Sequence, residues 1–146
     1  MFNYIAATTQ NDILFATHQC AHFSNRPMRV QEIAIKQIVQ YLKSTHTKGY
    51  IINPSVEKWL DCYVDANFAG MWSPDQADDP SSIKSRTGYV TTFTTYLPST
   101  GVSKLQTKIT LSTTEAEYIA LSQALRDIIP MQALLKELRN LRIRHW

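Results

Sequence analysis

Two stretches hold the residues whose types and spacing could do chemistry. In CYVDANFAG (62–70) a carboxylate, Asp65, closes an alternating apolar run. In LSTTEAEYIALSQALRDII (111–129) two glutamates, Glu115 and Glu117, fall in the first turns of what reads as a helix. A strand-end aspartate and an early-helix glutamate can bridge divalent cations. Phosphodiester hydrolysis by two metals about 3.5–4 Å apart needs such ligands, because the ions activate the water and stabilise the leaving oxygen. Magnesium takes few carboxylates, several waters and the substrate's own phosphate oxygens. The competing reading is structural, since capped helices commonly carry a carboxylate near their start. Glu115 also completes the capping-box spacing Ser112-x-x-Glu115, which gives it a structural role.

The elements that must position these groups follow from periodicity. Asn11–Phe23 has Ile13, Ala16, Cys20 and Phe23 at helical spacing, with Asn11 or Asp12 as caps. His18 and His22 share a face of it, but a metal would need two further ligands and Cys20 points elsewhere, so both read as surface histidines. Val30–Lys43 is a second helix, with Ile33, Ile35, Ile38, Val39 and Leu42 on its apolar side. The two make a helical hairpin. From Gly49 the pattern turns to period two. Tyr50–Ile52 is a short apolar run, and Trp59–Val64 alternates, with Leu60, Cys62 and Val64 on one face and Asp65 on the Tyr63 face. The Met71–Ser85 loop carries Asp75, Asp78 and Asp79 without calcium-loop spacing, so it reads as solvated. Arg86–Tyr96 is a second strand, Pro98–Gly101 a turn and Val102–Ile109 a third strand, with short links that favour antiparallel pairing. In the helix after Ser112 the inward stripe is Ala116, Ile119, Ala120, Gln123, Ala124 and Ile128. Pro130 ends or kinks it and opens a further helix on Met131, Leu134, Leu135, Leu138 and Leu141.

Composition narrows the class. The 146 residues, 44% hydrophobic and 18% charged, suit one globular domain with a real core. Net charge is +3, and from Arg126 onward five basic residues face only Asp127 and Glu137. That excess suits either a polyanionic partner or a solvated helix face. Cys20 and Cys62 form no motif, which points to a reduced, intracellular protein, cytoplasmic or nuclear. No apolar run of about 18 residues suggests a membrane span. Four glycines leave no room for a glycine-rich phosphate loop.

Taken together, CYVDANFAG, SRTGYV and SKLQTKITLSTTEAEYIALSQALRDIIPMQALLKEL resemble the ribonuclease H region of copia-type retrotransposon polyproteins. That family has D-A-D-W/F-A-G, then K-S-T-S/T-G-Y, then S-S/T-T-E-A-E-Y opening its catalytic helix. TTQNDILFA and KQIVQYLKST are similar to the connection segment between its reverse transcriptase and ribonuclease H. The resemblance covers nearly the whole chain in the family's order. It implies a helical connection segment over 1–48 and an incomplete ribonuclease H-like domain over 49–146. The implied fold is mixed α/β: a helical hairpin, three antiparallel strands, then helices, with the later strands missing. Asp65 matches the family's first metal-binding aspartate and Glu117 its bridging glutamate. The implied cofactor is Mg²⁺ or Mn²⁺, and the implied partners are an RNA–DNA hybrid and the reverse transcriptase portion of the polyprotein. The family's third and fourth carboxylates lie in later elements, so the resemblance implies a C-terminally truncated copy, inactive by itself or kept as a nucleic-acid-binding or structural remnant. Asn67 replaces the second aspartate of D-A-D, Gly101 stands where a Trp is usual, and Gln10-Asn11 where Arg-Pro is usual.

Overall fold

The computed structural model describes residues 2–49, 60–74, 78–93 and 97–144, with side chains to residue 140. It is a mixed α/β fold of four α-helices and one three-stranded antiparallel sheet among those residues. Helix α1 (Phe2–Thr8) leads into a 3₁₀ turn at Asn11–Ile13, then α2 (Leu14–His22) and α3 (Arg29–Thr45). Strands β1 (Asp61–Asn67), β2 (Arg86–Phe93) and β3 (Leu97–Leu105) follow in spatial order, and α4 (Thr113–Arg144) closes the fold.

The sheet lies between two helical layers. Strand alternation sends Leu60, Cys62 and Val64 of the β1 segment, Tyr89 of β2 and Val102 of β3 to one face, where they meet Ala124 and Ile128 of α4. Ala116, Ala120 and Ala124 have no exposed surface, so the predicted inward stripe holds, and its small residues let α4 lie close on the sheet. The other face is met along β3 by α1, the 3₁₀ turn and α2. Those helices have a core of their own, Ala6, Ile13, Leu14 and Ile38, with Leu42 against it. The broad apolar face read on α3 is only partly used: Ile38 is buried, whereas Ile33, Ile35 and Val39 are exposed, because α3 packs mainly on α2.

Several expectations are corrected. The first helix begins as a 3₁₀ turn, and neither candidate cap bonds there: Gln10 holds the cap position without a side-chain bond, and the Asp12 carboxylate accepts from the Tyr41 hydroxyl instead. β1 does not stop at Asp65 but runs to Asn67, because each of Asp65, Ala66 and Asn67 finds a partner in β2. Pro98–Gly101 is strand rather than turn. The register shifts between Thr91 and Thr92, opposite Thr100 and Pro98, leaving Ser99 as the extra residue. A bulge on a flanking strand is one of the places where a proline, which cannot donate to the ladder, is accommodated. β3 ends at Leu105, short of Ile109. Finally, α4 is one helix with Pro130 inside it rather than two helices. Proline removes one intrahelical bond, and the strong helix formers on both sides carry the helix through. Tyr50–Ile52, Trp59, Asp75 and the last residues of the predicted second strand lie outside the described residues.

Candidate functional site

Asp65 and Glu117 reach one place from distant parts of the chain. Asp65 sits inside β1 opposite Gly88 of β2, on the face away from the α4 core. Its neighbour Val64 faces α4. Glu117 lies in the second turn of α4. An open hollow of about 370 Å³ is lined by Val64, Asp65, Thr114, Glu117, Tyr118 and Leu121. It takes in residues from both faces of β1, so it wraps the edge of that strand not occupied by β2. Both carboxylates are exposed.

The start of α4 is fixed by three sets of bonds. Ser112 Oγ accepts from the Glu115 backbone N–H at 3.1 Å, and the Glu115 carboxylate accepts from the Leu111 N–H at 2.8 Å. This is capping-box chemistry with the return bond taken one residue earlier. Glu115 is thereby committed to the helix end, and Glu117, two residues on, is turned toward β1. The third set involves Gln106, which is 1% exposed. Its Nε2 donates to Thr87 Oγ1 of β2 at 3.1 Å and to the Ala116 carbonyl of α4 at 2.8 Å. Gln106 thus ties the sheet to the residue preceding Glu117. Sequence reasoning passed over Gln106. Its only signal was a polar residue between a strand and a capped helix. Ser85 and Thr110, both buried, share a 2.6 Å hydroxyl contact behind it, and Ser85 also accepts the Gln106 backbone N–H.

A second open hollow of about 720 Å³ adjoins the first through Thr114 and Tyr118 and carries Lys108 and Arg126. Tyr118, 68% exposed, stands between the two.

Magnesium takes few carboxylates and several waters, and Asp65 and Glu117 are two exposed carboxylates on one open hollow. They do not fit a pair of ions: among the described residues, no group of three or more His, Cys, Asp or Glu side chains could hold a metal. His18 and His22 belong to no such group. His22 Nε2 lies 3.0 Å from Ser81 Oγ, and the His18 imidazole is held below its usual pKa by burial and then by Arg86. The loop carboxylate Asp79 accepts from the backbone N–H and hydroxyl of Ser81, each at 2.8 Å, as a turn former does. No described helix is long and apolar enough to cross a membrane.

No family model and no solved structure matches this chain. It is 35% identical over 135 residues to the retrovirus-related Pol polyprotein from transposon TNT 1-94 of Nicotiana tabacum, a match covering 92% of the chain. It is 29% identical over 132 residues, 90% of the chain, to the corresponding polyprotein from transposon RE1 of Arabidopsis thaliana. The chain spans only 9% and 8% of the length of these two relatives. It is also 31% identical over 126 residues to the secreted RxLR effector protein 161 of Plasmopara viticola, covering 86% of this chain and 82% of that one. The chain therefore belongs to one family with this effector protein and with a segment of the retrovirus-related Pol polyproteins of transposons.

Proposed function

We propose that the chain corresponds to the ribonuclease H region of a copia-type polyprotein. Residues 1–48 would be the connection that follows the reverse transcriptase, and 49–146 part of the nuclease domain. In the full polyprotein this region would hydrolyse the RNA strand of an RNA–DNA hybrid with two divalent metals. Asp65 and Glu117 are its candidate ligands for Mg²⁺ or Mn²⁺. One observation carries the reading: the two carboxylates that the family resemblance singles out line the same hollow. Lys108 and Arg126 in the adjoining hollow supply positive charge of the kind a phosphate backbone needs.

The 146-residue chain alone should not cleave, because two carboxylates cannot assemble a two-metal centre. The test is incubation of a labelled RNA–DNA hybrid with the chain and Mg²⁺ or Mn²⁺. Hybrid binding that weakens with salt, without cleavage, is the expected result. Cleavage abolished by Asp65→Asn or Glu117→Gln would overturn the inactivity.

A second reading is a non-catalytic nucleic-acid-binding or structural module. The effector protein favours it, since this chain covers most of that protein's own length. Under that reading Asp65→Asn and Glu117→Gln leave hybrid binding unchanged with or without divalent ions.

A further inference from the structure

The seam between the helical layer and the β2–β3 face is built unlike either core. On one side lies the cluster of Ala6, Ile13, Leu14 and Ile38, on the other that of Tyr89, Ala124 and Ile128, and the two do not merge. What lies between is polar. Arg86 of β2 is 6% exposed. Its Nη1 donates to Ser103 Oγ at 3.3 Å and its Nη2 to Gln19 Oε1 of α2 at 3.4 Å, both long bonds to neutral acceptors. Its Nε is buried without a partner, and the guanidinium carbon lies 5.4 Å from the ring centre of the half-exposed Phe15. No carboxylate pairs with it among the described residues. Along the same seam the Asn11 amide oxygen is also buried and unpartnered, packed against Gly101 so closely that a Cβ there would meet the Asn11 side chain at 3.0 Å.

A buried charge without a counter-charge costs far more than one neutral hydrogen bond returns, and each unpartnered buried polar atom adds to that cost. Water repays both when the seam opens. Opening leaves each hydrophobic cluster whole, so little apolar burial is lost with it. We infer that the helical layer formed by α1, α2 and α3 is a detachable cap over the β2–β3 face, held loosely because docking seals Arg86 away from water without a counter-ion. Strand alternation places Arg86 on the same face as Asp65, one diagonal step away, since Asp65 pairs with Gly88 and Asn67 with Arg86. Lifting the cap therefore brings a forked cation to solvent beside a carboxylate of the candidate site, an arrangement suited to an oxyanion. The opening itself does not depend on the metal chemistry proposed for Asp65 and Glu117.

The test is thiol trapping under native conditions in a Cys20→Ser, Cys62→Ser background. Ser103→Cys puts a thiol in the seam, and Ala124→Cys puts one in the α4 core. The seam thiol is expected to react at least about tenfold faster than the core thiol, because opening of part of a fold costs less than unfolding all of it. Gln19→Glu supplies the missing carboxylate and should slow the seam thiol several-fold while leaving the core thiol unchanged, and Arg86→Met should act in the same direction. Equal rates at the two thiols, or a seam rate that neither substitution slows, overturn the inference. A second measurement needs no seam variant: urea unfolding read at amides of α3 and of α4 in the unmodified chain should give separate midpoints, and one shared midpoint overturns it.

Discussion

The Tyr89 hydroxyl donates to the Asp127 carboxylate, joining the middle strand of the sheet to α4 just past the core. Burial, reinforced by the bond to Asp127, pushes the Tyr89 pKa far above the usual tyrosine range. A raised folded-state pKa means the native state holds its proton where the unfolded chain releases it. The Tyr89 contribution to stability should therefore be constant below about pH 10 and be lost as pH rises above that value. Tyr89→Phe should cost about 1 kcal/mol near neutral pH, the net worth of one such bond. It should also remove most of the alkaline loss. Urea midpoints at pH 7 and pH 10.5 check both; an unchanged alkaline slope in the variant would show that another group carries it.

Glu115 and Glu117 are two residues apart and have different work. Ser112→Ala should lower stability by about 1 kcal/mol through loss of the cap, and Glu115→Gln should lower it by less. Glu117→Gln, at an exposed position with no structural bond, should stay within about 0.5 kcal/mol of the parent. Thermal or urea unfolding of the three variants gives the comparison. A Glu117→Gln loss as large as that of Ser112→Ala would mean Glu117 is structural.

Metal affinity should divide the same residues the other way. Mn²⁺ added to the labelled chain should broaden amide resonances around Asp65 and Glu117 together. Either Asp65→Asn or Glu117→Gln should weaken that effect at least about tenfold, the loss seen even for outer-shell partners, and Glu115→Gln should not. Broadening that survives both substitutions places the ion elsewhere.

On the acid side the relevant group is His18. Burial and the nearby Arg86 hold its pKa below 6.5, so the unfolded chain takes up a proton that the folded chain resists. Its contribution is complete above that value and is lost as pH falls through it. His18→Gln should flatten the decline between pH 7 and pH 5, measured as urea midpoints. An identical decline in parent and variant rules His18 out.

Features decided by neighbours a few residues away are legible in the sequence. The alanine stripe of α4 and the cap at Ser112 depend on neighbours three and four residues away, and both stand as expected. The faces of β1 depend only on alternation, and Leu60, Cys62 and Val64 do turn together toward α4. The errors lie where a partner outside the segment decides. β3 includes Pro98 because the bulge opposite Thr91 and Thr92 absorbs it, and α4 continues past Pro130 because the residues on either side favour helix. Helix α1 carries no signal of this kind: it is seven residues long, and its buried residue is Ala6, in the core shared with Ile13, Leu14 and Ile38.

By itself the sequence determined which groups could act, a strand aspartate and a helix glutamate separated from its capping neighbour by one residue. It also determined which side of each element is apolar, because side-chain period is set by the backbone alone. Only the tertiary structure decided that Asp65 and Glu117 line one hollow, that Gln106 ties the sheet to α4 at the residue before Glu117, and that Arg86 is buried under the helical layer. Each of these rests on strand register and helix docking between residues far apart in the chain, and no local pattern encodes which distant side chain a residue will meet.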